Sequence, residues 1–157
     1  VMPCNTAHFW YPELLKGCSV PFLSIVDASI KELAHLAEDG SKIGIIATRA
    51  TLAAQIFDLT LVRLGYTVVL PNESLMDRLV LPGIDMVKAG EPLRGGQLIE
   101  QAVQTLLNNG ARAVILACTE TPLALDATES QLRSHCVDTS EALARCCVAW
   151  WQSRQAP

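Results

Sequence analysis

Two cysteines in this sequence stand where an apolar run ends and a helix-like segment begins. Cys4 follows Val1-Met2-Pro3 and opens Asn5-Thr6, and Cys118 follows Ile115-Leu116-Ala117 and opens Thr119-Glu120. A thiol at such a junction meets free N–H groups and the positive end of the helix dipole, which favour the thiolate. In open parallel α/β sheets these junctions gather at the carboxyl ends of the strands, where ligands bind. Two facing lobes would put the cysteines on opposite sides of one cleft. One thiolate could then take a proton from a carbon while the other thiol returns one to the far face. That is general acid–base catalysis with inversion of configuration. Asn5, Thr6, Thr119 and the backbone N–H groups beside them are donors suited to a carboxylate. They also suit the enolate-like charge that develops when an α-proton leaves.

The similarity between the two places continues downstream. Val26-Asp27-Ala28-Ser29 follows Cys4 at nearly the separation at which Val137-Asp138-Thr139-Ser140 follows Cys118. We read this as a duplicated lobe. The second unit is complete from about Gly44, whereas the first has almost nothing before Cys4. On the duplication argument roughly 70–80 residues would be missing from the N-terminus.

The elements that must position these residues can be read from the apolar spacing. Val20 to Val26 is an apolar run, followed by a helix over Asp27 to Glu38 capped by Asp27 or Ser29. Strands are expected at Ile43–Ala47, Thr67–Leu70, Ala113–Ala117 and Cys136–Val137. Helices are expected over Leu52–Leu64, stopped by Gly65, and over Glu73–Ala89, broken near Pro82-Gly83. Further helices follow over Gly96–Asn108 and Ser140–Gln152. Continuous apolar strands alternating with helices imply an α/β fold whose parallel sheet is covered on both faces. The expected architecture is two pseudo-symmetric lobes, each a parallel sheet flanked by helices, the first incomplete at its N-terminus. Residues 1–38 would be the remainder of lobe one, completed by the C-terminal helix at about 139–157, and residues 39–138 would be lobe two.

Composition narrows the function classes. Half of the 157 residues are hydrophobic and 18% are charged, which excludes a disordered chain. Twelve Lys/Arg against 16 Asp/Glu, with no basic cluster, argue against a nucleic-acid or anionic-membrane partner. No apolar run approaches the roughly 18 residues that span a bilayer. The start lacks the charged, apolar and small-residue pattern of a secretory signal. The six cysteines are unevenly spread and include no CxxC, so neither a disulfide framework nor a structural zinc is expected. A reduced, cytoplasmic chain without a metal fits best. Cys18, Cys136, Cys146 and Cys147 read as core or surface thiols, and His35 and His135 as surface residues. His8 reads equally as an orienter of the first loop or as a packing residue. Phe9-Trp10-Tyr11 and Trp150-Trp151 read as packing or interface.

The segment Met2-Pro3-Cys4-Asn5-Thr6-Ala7-His8, with Ala117-Cys118-Thr119-Glu120 and Pro122-Leu123, resembles the aspartate/glutamate racemases. The resemblance covers the whole chain. Gly44-Ile45-Ile46-Ala47-Thr48 with Thr51 looks like that family's second-lobe strand and threonine loop, and Asp138-Thr139 like its last strand end. Glu120 resembles the aspartate-racemase branch, where glutamate racemases tend to carry His. The resemblance implies racemisation of an acidic amino acid without pyridoxal phosphate or any other cofactor, and the sheet edge left open beside the strand ending at Pro3 favours association, so a homodimer is expected. It implies Cys4 and Cys118 as the acid/base pair, with Asn5, Thr6, Thr48, Lys88, Thr119 and Glu120 as substrate contacts. Ala117 and Ala50 depart from the family's glycines. The absent first βαβ would carry a glycine-rich loop and a carboxylate-binding arginine, so the resemblance implies a pocket lacking one wall. Maleate isomerases, hydantoin racemases and arylmalonate decarboxylases have similar cysteine-bearing lobes and remain alternatives. So does a non-catalytic remnant that binds a partner or a small acid. A cysteine hydrolase is weaker, because no histidine is placed to pair with both thiols.

Overall fold

The computed structural model describes residues 1–155, and its centre is four apolar runs paired side by side. Lys42–Ile46 (β1), Thr67–Val69 (β2), Ala113–Leu116 (β3) and Cys136–Asp138 (β4) form one parallel sheet in the order β2-β1-β3-β4. β1 and β3 are central, and β3 is buried along its whole length, as its unbroken Ala-Val-Ile-Leu run requires.

Helices supply the crossovers that parallel strands need. A 3₁₀ turn over Thr6–Trp10 runs into Tyr11–Gly17 (α1), and Ile25–Leu33 (α2) follows. Next come Arg49–Ala53 (α3) and Asp58–Arg63 (α4) between β1 and β2. Glu73–Leu75 (α5), a π-helical turn over Met76–Val80, Leu81–Lys88 (α6) and Pro92–Asn108 (α7) lie between β2 and β3. Glu120–Ala127 (α8) and a 3₁₀ turn over Gln131–His135 lead to β4, and Thr139–Gln155 (α9) follows it. The closing helix expected to reach 157 is observed to Gln155, and residues 156–157 lie outside the described residues.

Alternate residues of the central strands point to opposite faces. Ile43, Ile45, Ala47, Ala113, Ile115 and Ala117 pack on Leu33, Phe57, Leu61 and Tyr66. Ile46, Val114, Leu116 and Cys118 pack on Met76, Ile84, Ile99, Val103 and Leu125. A third cluster joins α2 to α9 through Ile25, Ala28, Ala142 and Leu143, with Cys146 and Cys147 half-buried beside it.

The structure corrects several boundaries. The apolar run from Val20 forms no regular element up to Ser24, and α2 begins at Ile25 rather than Asp27. Its cap is neither Asp27 nor Ser29 but Ser24, whose Oγ accepts from the Asp27 N–H at 3.2 Å. Ser29 is buried and donates to Ile25 O. The single helix expected over Leu52–Leu64 is two, because Gln55 takes a left-handed φ of 51°. That break lets Phe57 and Leu61 turn inward together. The expected interruption near Pro82 is a π turn just before it. A proline lacks the N–H that would reach back one turn, and the wider turn absorbs the misfit. α7 starts four residues before Gly96 and contains both Gly95 and Gly96.

Those glycines are needed for packing. A Cβ on Gly96 would overlap the Ala124 carbonyl of α8, and one on Gly95 would lie 2.6 Å from the Gly83 carbonyl of α6. α6, α7 and α8 therefore meet backbone to backbone. Residues 1–38 add helices only, and Val1–Pro3 lies outside the sheet, with the Cys4 N–H turned back onto the Met2 carbonyl at 2.9 Å.

Candidate active site

Strand register aligns the residues that leave the sheet. Ile46, Leu116 and Asp138 sit level across β1, β3 and β4. Thr48 and Cys118 each follow two residues past that line, and Thr139 follows one past it. The Ala117 N–H still bonds Ile46 O at 2.8 Å, so Cys118 is the first residue free of the ladder. Its side chain is 9% exposed and belongs to the core face.

The Cys4 segment is fastened to these strand ends by side chains. Asn5 is buried and its Nδ2 donates to Thr139 Oγ1 at 3.0 Å. Thr139 Oγ1 donates in turn to the Leu116 carbonyl, the last of β3, at 3.2 Å. Thr6 Oγ1 lies 2.6 Å from Thr51 Oγ1, which lies 3.0 Å from Thr48 Oγ1. Thr48 also caps α3 through the Thr51 N–H. Thus residues 134 positions apart, Asn5 and Thr139, share one hydrogen bond. Cys4 itself is exposed. Its carbonyl is held by His8 Nδ1 at 2.8 Å, and His8 Nε2 lies 3.0 Å from the Ile25 N–H.

Around Cys118 the arrangement is electrostatic. The thiol donates to Glu120 Oε2 at 2.9 Å, and Thr119 Oγ1 donates to the same oxygen at 3.1 Å. Burial pushes the Cys118 thiol up, and the Glu120 hydrogen bond and charge push it further, to about 12. The positive charge of Lys88, at the end of α6, works against this. Burial also raises the Glu120 carboxyl. The combined hydrogen bonds from Cys118, its own backbone N–H and Thr119, with the charge of Lys88, outweigh burial and hold it below the usual range. At neutral pH the pair is therefore a thiol donating to a carboxylate.

Sequence reasoning named Asn5, Thr6, Thr48, Thr119, Glu120 and Lys88, and the structure draws them into two groups. Asn5, Thr6 and Thr48 join through Thr51 and Thr139. Glu120 and Lys88 act on Cys118, and Thr119 bonds the Glu120 carboxylate that does so. The linking parts played by Thr51 and Thr139 escaped the sequence reading. The available signal was that each is a hydroxyl just past a strand end. Asn5 Oδ1 is buried with no protein partner, which leaves an acceptor beside the Cys4 loop. Among the described residues no cluster of His, Cys, Asp or Glu is arranged to hold a metal ion.

A family model described as Asp/Glu/hydantoin racemase matches residues 1–147. The broad specificity amino-acid racemase RacX of Bacillus subtilis is 29% identical over 155 residues, covering 99% of this chain and 65% of that protein. An uncharacterized protein of Pectobacterium carotovorum is 28% identical over 142 residues, covering 90% of this chain and 93% of its own length. The aspartate racemase of Picrophilus torridus superposes with a TM-score of 0.75 at 25% identity, over 95% of this chain and 60% of that one. The chain thus spans less than two thirds of the two named racemases.

Proposed function

The chain belongs to the Asp/Glu/hydantoin racemase family, and from that premise we propose that it contributes to racemising an acidic amino acid, aspartate or glutamate, by two-base proton transfer. Cys4 and Cys118 are the two bases. Each enantiomer loses its α-proton to one thiolate and gains a proton from the opposite thiol, so one thiol and one thiolate exchange places per turnover. The observation that carries this reading is the fastening of the Cys4 loop, through Asn5 and Thr6, to the strand ends that bear Cys118 and Thr48.

The protonation of the site supports a division of labour. Cys118 rests as a thiol and is the acid that protonates the carbanion. For the reverse direction Glu120 Oε2 takes the thiol proton across their hydrogen bond, leaving a thiolate able to abstract the α-proton. Lys88 pairs with a substrate carboxylate, and Thr119 and Thr48 donate to it. Asn5, whose Nδ2 bonds Thr139, serves the substrate by holding the Cys4 loop against the strand ends. The chemistry calls for no pyridoxal phosphate, because the thiols and their donors carry the proton transfer. The reading also carries a cytoplasmic homodimer. No helix among the described residues is long and apolar enough to cross a membrane. Exposed Val148, Trp150 and Trp151 on α9 favour association.

The test is exchange of the α-proton of L- and D-aspartate and glutamate in deuterated water without pyridoxal phosphate. We expect exchange at Cα with one or both acids. Cys4→Ser and Cys118→Ser should each lower inversion by at least about 10²-fold, the usual worth of one acid–base group. Absence of exchange with either amino acid would sink the reading. A serine variant that inverts at the normal rate would remove that cysteine from it.

A further inference from the structure

His8 is 5% exposed, and both of its ring nitrogens are engaged. The Cys4 carbonyl can only accept, so the Nδ1 at 2.8 Å from it carries the proton. The Ile25 backbone N–H can only donate, so the Nε2 at 3.0 Å from it is bare. Those two partners admit one state of the ring, the neutral Nδ1–H tautomer. Ile25 is the first residue of α2, and its N–H is one of those a helix leaves without an internal partner. The ring also stacks on Tyr11, with centroids 5.5 Å apart and planes 17° off parallel. The Tyr11 hydroxyl donates to Phe22 O at 3.1 Å, in the stretch just before α2. One imidazole therefore ties the carbonyl of Cys4 to the start of a helix that packs on α9.

We propose that neutral His8 is a positioning residue that fixes the backbone of Cys4 for proton transfer, and that protonating His8 releases the Cys4 loop. The inference rests on the reading of Cys4 as a proton-transfer thiol and adds to it a control of that thiol. Protonation places a second N–H at Nε2, opposite the Ile25 N–H. Two donors then face each other in a buried setting, and the bond that anchors the ring to α2 is lost. The charged and titratable groups that bear on the ring are Asp27 of α2, which favours the protonated form, and the Val1 amine, which disfavours it. The Tyr11 phenol is stacked on the ring and the Cys4 thiol lies on the loop it holds. Burial outweighs the Cys4 carbonyl bond and Asp27, both of which favour the protonated ring, and keeps the ring neutral at and above its ordinary range. The loop is thus held at neutral pH and freed on acidification.

The experiment combines three readouts on the purified protein. Nitrogen-15 NMR of the imidazole should show the Nδ1–H tautomer at pH 7 and give the pH at which His8 titrates. The kcat for inversion should fall with one proton at that same pH, with KM changing less. His8→Leu should lower kcat at least about tenfold. His8→Gln presents an amide that can both donate to Cys4 O and accept from the Ile25 N–H. It should recover most of the lost rate and lose the acid limb, because an amide does not titrate there. An Nε2–H tautomer at pH 7, or an acid limb unchanged in His8→Gln, would overturn the proposal. The alkylation rate of Cys4, followed by peptide mass, separates this failure from failure of the racemase reading. It should shift with His8 protonation in the native protein and show no such shift in His8→Gln, whether or not the protein inverts an amino acid.

Discussion

At the scale of single residues, the two cysteines differ in a way their motifs do not disclose. Both follow an apolar run and precede small polar residues, and that spacing was enough to single them out. Their settings are opposite. Cys4 is exposed on a loop, whereas Cys118 is buried and bonded to a carboxylate. A helix N-terminus alone would lower a thiol. At Cys118 burial and the adjacent negative charge win, and the thiol rises to about 12. Glu120→Gln removes the charge and keeps the shape. We expect Cys118 to ionise at lower pH in this variant, read as an alkaline alkylation midpoint moving towards neutrality. Inversion that uses Cys118 as the base should slow by about 10²-fold or more, since its proton acceptor is gone. An unmoved midpoint would show that Glu120 does not govern the thiol. The hydroxyls of Thr51 and Thr139 were not legible as connectors, because their partners lie 45 and 134 residues away. No local spacing encodes such a pairing.

At the scale of elements, the strands were the readable part. Runs such as Ala113–Leu116 are apolar throughout, and only a strand buried on both faces uses such a run. Helix limits were less readable, because they depend on side chains that compete to cap and on contacts made elsewhere. Ser24 displaced Asp27 as the cap of α2, a choice between two good acceptors that sequence alone leaves even. Gln55 split a good amphipathic run by adopting a left-handed backbone, which glutamine seldom does. The glycines of α7 looked like a helix start. They lie inside the helix because α6 and α8 come too close for a side chain. Gly96→Ala should therefore destabilise the fold by about 1–3 kcal/mol, despite alanine's better helix propensity. That corresponds to a drop of several degrees in Tm, measurable by calorimetry. A stabilised Gly96→Ala protein would mean that α7 and α8 are farther apart than described.

At the scale of the whole molecule, the buried titratable groups predict how stability follows pH. Burial lowers His8 below its ordinary 6.5, so the unfolded chain takes up this proton first as pH falls through that value. Stability from His8 is complete above 6.5 and is lost towards acid. Glu120 and Glu141, held low by their hydrogen bonds, add to the acid loss at lower pH. Burial raises Cys118 and Cys136 from 9.0 to about 12, so the fold favours both thiols. Their stability is complete below 9.0 and is lost as pH rises from there towards 12. We expect Tm to be highest between 6.5 and 9.0. Cys136→Ala should flatten the alkaline decline, and an unchanged slope in that variant would contradict the linkage. The close meeting of α6, α7 and α8 has a mechanical consequence. Where Gly95 and Gly96 bring the helices together there is little room to shift, so Lys88 at the end of α6 and Glu120 at the start of α8 are expected to keep their separation. That side of the proposed site is the rigid one. The Cys4 loop is held to the rest of the fold by one amide, one hydroxyl and one imidazole, and it is the side expected to give.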